Sequence, residues 1–150
     1  MEHIPIPTAA EGPLVWSDEW LLGYGPLDHR HEEFVARLDE LQRAPDEVLP
    51  IALDAMLEHL EAHFGEEDRW MEESAFPPRQ CHVDEHAAVL RSAAEVRSLL
   101  LQGEVEPCRR FADALEHWFP GHATHLDSAL AHWMCKAKLG GKPVVLRRRS

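Results

Sequence analysis

Eleven histidines in a chain of 150 residues are the most informative feature of this sequence. Two pairs of side chains share an offset of four positions: His63 with Glu67, and His82 with His86. That offset places both members of a pair on one face of an α-helix, so each pair can reach a single centre. Imidazole and carboxylate groups are ligands that iron and other transition metals accept in proteins. The spacing therefore predicts a metal site.

The same polar side chains occupy positions at which the helical periodicity calls for leucine or valine. His31 and His122 do so too, in the first and the last helical stretch. A single core histidine is usually satisfied by a backbone partner. Six buried polar groups without partners would each cost roughly 1–3 kcal/mol, together more than a typical domain's stability. A shared metal ion would satisfy all of them.

Asp127 adds a carboxylate five positions after His122. In an ideal α-helix an offset of five turns the side chain about 140° away from the starting direction. Pro120 removes one helical hydrogen bond in this stretch, which would permit a local distortion. The periodicity alone does not say what form the distortion takes.

Four stretches with apolar residues at alternating offsets of three and four would position these groups, as amphipathic helices do. The predicted helices span residues 27–43, 50–73, 80–101 and 107–136. The breaks between them are short, which favours antiparallel neighbours. The sequence therefore predicts an all-α fold, an up-down-up-down four-helix bundle.

The predicted bundle (residues 27–136) is flanked by an N-terminal extended arm (1–26) and a basic C-terminal tail (137–150). Residues 136–150 carry six basic and no acidic side chains, so residues 1–135 hold a formal charge of −18, against −12 for the whole chain. An acidic body of this kind argues against nucleic acid as the main partner. The tail could dock on an acidic surface or remain a solvated extension.

The composition also bounds the location of the protein. No apolar run approaches the roughly 20 residues that span a bilayer, and the first residues lack the basic flank and apolar core of a signal peptide. Three cysteines, an odd number, fit a reducing compartment better than a disulfide framework. We expect one soluble, cytoplasmic domain without a membrane span.

Six motifs along residues 14–127 form a recognisable pattern. They are Trp16-Ser17-Asp18, Gly23, Asp28-x-x-His31, His63-Phe64-x-x-Glu67-x3-Met71, Phe76-Pro77-x4-His82-x3-His86 and Trp118-x3-His122-x4-Asp127. This pattern resembles that of the hemerythrin family, specifically its bacterial single-domain members. The resemblance implies reversible O2 binding at a non-haem di-iron centre, for storage, delivery or sensing.

The resemblance also implies a role for each ligand. His82, His86 and His122 would hold one of two iron ions, and His31 and His63 the other. Glu67 and Asp127 would bridge the two ions, together with an oxo or hydroxo group. This set would leave one coordination position open, on the iron with two histidines, for O2 or a small anion.

Three positions depart from the family pattern. Arg30 replaces the usual glutamine before the first ligand, Phe119 replaces a leucine, and Ala123 replaces a bulky aliphatic residue. By the resemblance, Phe119 and Ala123 would line the O2 pocket, so O2 affinity and autoxidation rate do not transfer from the family.

Two other functions remain open. The same centre could act as a di-iron oxidoreductase on peroxide or nitric oxide, or it could store iron or hold a structural metal. An O2-binding protein is favoured over an enzyme, because a nitrogen-rich site with one open position suits reversible binding. His82 to His86 also matches the His-x-x-Glu-His pattern of zinc proteases, but we expect Glu85 to face solvent, away from such a site.

Overall fold

The computed structural model describes residues 14–141, and helices account for most of them. The four long helices are α1 (Gly25–Arg43), α2 (Leu49–Glu73), α3 (Arg79–Leu101) and α4 (Glu106–His122). The chain continues from α4 through a π-helical turn (Ala123–Asp127) into α5 (Ser128–Met134) and a second π-helical turn (Cys135–Leu139). Residues 14–141 contain no β-strand, so the predicted all-α class is confirmed.

Proline and glycine set the helix boundaries. Prolines lie in the first turn of α1, α2 and α4, where the missing N–H has no intrahelical partner to lose. The last turn of α3 closes on Gly103, whose φ of +90° favours glycine. There Gly103 N–H donates to Leu100 and Glu104 N–H donates to Leu99, both at 3.0 Å, as in a Schellman motif. Short loops follow, and consecutive helices run antiparallel.

Each long helix packs against two others. The contacts join α1 to α2, α2 to α3, α3 to α4, and α4 back to α1. This closed ring is the up-down-up-down four-helix bundle predicted from the loop lengths. The predicted fourth helix (107–136) corresponds to α4, the first π-helical turn, α5 and the start of the second π-helical turn, and the first of these turns is the distortion expected near Pro120.

Two apolar clusters fill the bundle, one on each side of a polar layer. The larger cluster includes Phe34 of α1 and Phe64 of α2, and the smaller one includes Leu27 and Met71 of the same helices. His31 lies between Leu27 and Phe34 along α1. The layer therefore sits inside the bundle, with apolar packing above and below it.

The described part of the predicted arm, residues 14–24, folds back onto the bundle. It contains a short 3-10 turn, Asp18–Trp20. The Asp28 carboxylate accepts hydrogen bonds from the Leu22 and Gly23 N–H groups at 2.7 and 3.0 Å. The Trp20 ring lies 5.5 Å from the Phe119 ring, so the arm covers the α1–α4 side of the polar layer.

The predicted basic tail falls largely outside the described residues. Its first residues belong to the second π-helical turn, which ends at Gly140 with a φ of +72°. Lys142 and Arg147–Arg149 lie beyond residue 141. Among residues 14–141, no helix has the length and apolar character needed to cross a membrane.

Candidate metal centre

Seven side chains from all four sides of the bundle form the polar layer, and each is 4% exposed or less. They are His31, His63, Glu67, His82, His86, His122 and Asp127. These are the seven side chains that the sequence predicted as metal ligands, and the fold brings all of them together. Burial at this level removes the solvent that would otherwise satisfy their nitrogen and oxygen atoms.

The layer divides into two groups of potential ligands whose donor atoms lie within 4.8 Å of one another. The first group contains three histidines and two carboxylates, and the second contains two histidines and one carboxylate. The first group is Glu67, His82, His86, His122 and Asp127, and the second is His31, His63 and Glu67. We call them the three-histidine group and the two-histidine group.

Glu67 faces both groups with different oxygens. Its Oε1 lies 3.3 Å from His82 Nε2 and 3.9 Å from His86 Nε2, and its Oε2 contacts His63 Nε2. The offset of four along α2 brings His63 and Glu67 to the same face of the helix. A carboxylate in this position has one oxygen available to each of two cations.

Asp127 is arranged in the same way. Its Oδ1 lies 3.0 Å from His82 Nε2 and 3.1 Å from His122 Nε2. Its Oδ2 lies 2.7 Å from His31 Nε2, on the other side of the bundle. Both buried carboxylates therefore link the two groups.

The π-helical turn explains how Asp127 reaches this layer. The Ser128 N–H donates to the Ala123 carbonyl, the i→i+5 pattern of a π-helix. One wider turn brings an offset of five close to a full rotation, so Asp127 falls on the same face as His122. The sequence indicated a distortion near Pro120 but could not specify this one, because apolar periodicity does not distinguish a π-turn from an α-turn. π-Turns of this kind are often found at functional sites.

Many polar atoms in the layer lack a hydrogen-bonding partner among the described residues, although their neighbours are close. These buried atoms include both ring nitrogens of His63 and His82, both carboxylate oxygens of Glu67, and Asp127 Oδ1. Atoms that converge on a shared centre, rather than aligning in donor–acceptor pairs, fit the coordination of a cation. The donor set of imidazole and carboxylate suits iron, so the residues present fit a di-iron centre.

The electrostatics of the layer also favour a positive charge at its centre. Burial disfavours the charged form of His122, but its close contact with the Asp127 carboxylate and its hydrogen bond to Glu85 outweigh it and raise the His122 pKa to about 10. Burial would raise the pKa of Asp127, but His122, His31 and His82 lower it well below its usual value. The carboxylates therefore remain anionic at neutral pH, and a bound proton or cation must balance them.

Two outer carboxylates that the sequence did not identify contact histidines of the polar layer. Asp68 Oδ1 lies 2.8 Å from His86 Nδ1, and Glu85 Oε1 lies 2.9 Å from His122 Nδ1. The expectation that Glu85 faces solvent is wrong: its side chain is 32% exposed, and it also accepts a 2.9 Å hydrogen bond from Trp118 Nε1. The packing of α3 against α4 directs Glu85 into this contact, which a projection of α3 alone misses.

His59 is a further buried histidine next to the polar layer. It is 7% exposed and lies one turn before His63, with its ring edge-to-face at 5.3 Å. Its Nε2 has no hydrogen-bonding partner among the described residues, so His59 contacts His63 by ring packing and not by a hydrogen bond from this atom. Burial lowers the pKa of His59 to about 3, and the ring is neutral. Of the other histidines, His29, His125 and His132 are exposed.

Phe119 and Ala123, the predicted pocket residues, are both buried, and Phe119 lies beside the two-histidine group. The edge of Phe119 points at His31, with ring centroids 5.1 Å apart, and its face stacks on Phe34 at 4.5 Å. Ala123 is 2% exposed and packs in the larger apolar cluster. Arg30, beside His31, links α1 to α2 through Glu66 at 3.4 Å.

Comparisons with known proteins agree with this geometry. The family model described as the hemerythrin HHE cation binding domain matches residues 22–133. A bacteriohemerythrin of Ralstonia nicotianae (strain ATCC BAA-1114 / GMI1000) is 36% identical over 123 residues, covering 82% of this chain and 90% of the relative. A bacteriohemerythrin of Stenotrophomonas maltophilia (strain R551-3) is 26% identical over 122 residues, 79% of each chain.

No solved structure gives a significant match. The family model covers more than half of the chain, including every residue of the polar layer. The buried cluster of histidines and carboxylates occurs within the matched segment, as a cation-binding domain requires. The chain belongs to the hemerythrin family.

Proposed function

We propose that this protein binds O2 reversibly at a di-iron centre held by the polar layer. The observation that carries the proposal is the division of seven buried donors into two adjacent groups that share Glu67. His82, His86 and His122 would hold one iron, His31 and His63 the other, and Glu67 and Asp127 would bridge them, with an oxo or hydroxo group completing the centre. When bound, such a centre supplies two electrons that can be transferred to O2 and recovered.

The chain's own residues would make binding reversible by keeping water out. Phe119 covers His31 and is itself backed by Phe34 and Trp20 at 4.5 and 5.5 Å. This aromatic layer lies on the side of the two-histidine group, where fewer protein ligands are available. We infer that Phe119 and Ala123 form the wall of the O2 pocket, which excludes water and limits entry to O2 and small anions.

The alternative is a di-iron oxidoreductase that acts on peroxide or nitric oxide. The small side chain of Ala123, where the family pattern has a bulky aliphatic residue, favours this reading, because a wider pocket would admit such substrates. The acidic body argues against nucleic acid as a partner. The odd number of cysteines supports a cytoplasmic location.

The decisive experiment loads the full chain with ferrous iron without oxygen, measures iron per chain, and records the visible spectrum before and after O2 is added and removed. Reversible O2 binding predicts a long-lived new spectrum that disappears when O2 is removed, and its displacement by azide. Immediate conversion to a ferric form that turns over peroxide would favour the oxidoreductase. A spectrum unaffected by O2 or azide would indicate a structural or storage site. His125→Ala, which removes an exposed histidine three positions after His122, is the matched control.

A further inference from the structure

The outer nitrogens of two histidines in the three-histidine group contact carboxylates. His86 Nδ1 lies 2.8 Å from Asp68 Oδ1, and His122 Nδ1 lies 2.9 Å from Glu85 Oε1. The inner Nε2 atoms of both rings, 3.3 Å apart, face the centre. Each carboxylate therefore lies behind a potential ligand, on the side away from the metal.

The Glu85 contact is held in place by a third residue. Glu85 Oε1 accepts a 2.9 Å hydrogen bond from Trp118 Nε1. The Trp118 ring also stacks on His122, with centroids 4.3 Å apart and planes at 27°. Trp118 thus restrains both the carboxylate and the imidazole that it contacts.

The two-histidine group has no such support among the described residues. The Nδ1 atoms of His31 and His63 are buried and have no hydrogen-bonding partner there. Aromatic rings pack against these two histidines, with ring centroids 5.1 Å apart for Phe119 and His31 and 5.3 Å apart for His59 and His63. The buried Asp28 carboxylate interacts electrostatically with His31, but its oxygens accept hydrogen bonds from the Leu22 and Gly23 N–H groups.

This asymmetry has a direct consequence for cation binding. A carboxylate that accepts the Nδ1–H proton fixes the histidine tautomer and makes Nε2 a stronger donor, and removal of such a partner typically lowers metal affinity 10–100-fold. Asp68 and Glu85 also add negative charge next to a low-dielectric interior, where it stabilises a cation more than it would in water. Both effects act on the three-histidine group.

We propose that the two metal positions are unequal: the three-histidine group binds its ion more tightly, and the two-histidine group holds the exchangeable one. This inference rests on the two-iron function proposed above. Asp68 and Glu85 are positioning residues that create the difference, acting through His86 and His122. The protein then loses its iron in two steps. The ion in the two-histidine group leaves first, and the ion in the three-histidine group leaves last.

The test is a chelator competition on the iron-loaded full chain, with iron per chain measured after equilibration at increasing chelator concentration. The parent protein should lose its iron in two steps separated by a factor on the order of 10–100 in chelator concentration. Glu85→Gln and Asp68→Asn keep the size of each side chain and remove its charge. Each substitution should lower the chelator concentration of the late step, which belongs to the three-histidine group, by several-fold. The chelator concentration of the early step should not change.

The controls use carboxylates on the same helices that do not contact a ligand histidine. Asp84→Asn on α3 and Glu72→Gln on α2 remove exposed charges and should leave both steps unchanged. His63→Ala should abolish the early step and retain the late one, which assigns the steps to the two groups. Far-UV circular dichroism of each loaded variant checks that the bundle is intact.

A single step in the parent, or equal movement of both steps in Glu85→Gln and Asp68→Asn, would overturn the inference. So would loss of the late step, rather than the early one, in His63→Ala. These outcomes are separate from a failure of the proposed function, which would appear as two retained irons with no spectral response to O2. A normal O2 response with one unloading step would reject the inequality and leave O2 binding intact.

Discussion

Asp127 Oδ2 lies 2.7 Å from His31 Nε2, while Oδ1 of the same carboxylate lies 3.1 Å from His122 Nε2. A single side chain therefore faces histidines on two helices and in both groups of potential ligands. The π-helical turn Ala123–Asp127 makes this possible, because it places Asp127 on the same face as His122. Asp127 is the residue on which the pairing of two metal ions should depend most directly.

Asp127→Ala should reduce the iron content below that of the parent and abolish the O2-dependent spectrum. The substitution removes one oxygen donor from each position, and the loss of affinity should be at least as large as the 10–100-fold typical of outer partners. Iron per chain and the visible spectrum are the measurements. Asp113→Ala, at an exposed position of α4, is the matched control. Full iron content with a normal O2 spectrum in Asp127→Ala would contradict the bridging role.

The iron-free protein should be markedly less stable than the loaded protein. Without a cation, two buried carboxylates and five histidines face one another at the centre of the bundle, and binding energy is then missing from the folded state. A ligand at about 1,000 times its Kd adds about 4 kcal/mol to the free energy of unfolding, which corresponds to a rise in Tm on the order of 10 °C. Thermal unfolding followed by circular dichroism measures this. Equal melting temperatures with and without stoichiometric iron would refute it.

His63→Ala and His31→Ala should each lose the O2-dependent spectrum and yet retain part of their iron. Each substitution weakens the two-histidine group, where O2 is expected to bind, and leaves His82, His86 and His122 in place. Iron analysis and spectra of the variants, with His125→Ala as the control, provide the comparison. A reversible O2 complex of normal intensity in His63→Ala would show that O2 binds elsewhere.

The helices and the members of the polar layer could be predicted from the sequence because both follow from periodicity. Apolar residues at offsets of three and four locate the boundaries of α1 to α3 and the start of α4 to within two residues, and polar residues on those same stripes identify the layer. The offset of five between His122 and Asp127 marked a distortion without describing it. The hydrogen bond from Ser128 to Ala123 that defines the π-turn is a property of the folded backbone.

The outer carboxylates could not be identified in this way. Asp68 and Glu85 lie at half-exposed positions, which a helical projection assigns to solvent. Their contacts depend on how α2 and α3 are rotated against their neighbours, and only the packed structure gives that rotation. The sequence offered one signal for these two carboxylates, which is that each is adjacent to a predicted metal ligand. Asp68 follows Glu67, and Glu85 precedes His86.

His59→Phe should make the stability of the protein less sensitive to acid. The pKa of His59 is lowered to about 3 in the folded protein, against about 6.5 in the unfolded chain. Below about pH 6.5, His59 is therefore protonated in the unfolded chain and remains neutral in the folded protein. The free energy of unfolding falls as the pH falls. Between neutral pH and about pH 5 this residue alone should cost about 2 kcal/mol.

Urea unfolding of the loaded parent and of His59→Phe, near pH 7.5 and near pH 5, gives the required comparison. The phenyl ring preserves the aromatic contacts with Phe34 and His63 and removes the titrating group. Iron content is measured at each pH so that loss of metal is not mistaken for the effect of His59. The same drop in stability for both proteins would exclude His59 as the source of acid sensitivity.

The pocket wall gives the last prediction. Ala123 follows His122 of the polar layer and is smaller than the aliphatic residue expected from the family pattern, so it leaves out several methylene groups next to that layer. Phe119 is larger than the expected leucine, but its ring packs against His31 and Phe34. Because these contacts hold the ring in place, it does not fill the space that a branched side chain at position 123 would occupy. Water and small anions should therefore reach the centre more readily than in a tightly walled protein, and autoxidation should be faster.

Ala123→Ile restores the missing volume and should slow the conversion of the O2-bound protein to its ferric form several-fold, because exclusion of water withholds the protons that the conversion requires. Ala129→Ile, at an exposed position of α5, controls for the added bulk. The rate is followed by visible absorption at constant iron content. If Phe119 alone already seals the pocket, the added side chain finds no space, and overpacking would cost about 1–3 kcal/mol of stability. An unchanged or faster rate with intact iron, accompanied by that loss of stability, would therefore show that the wall is closed without residue 123.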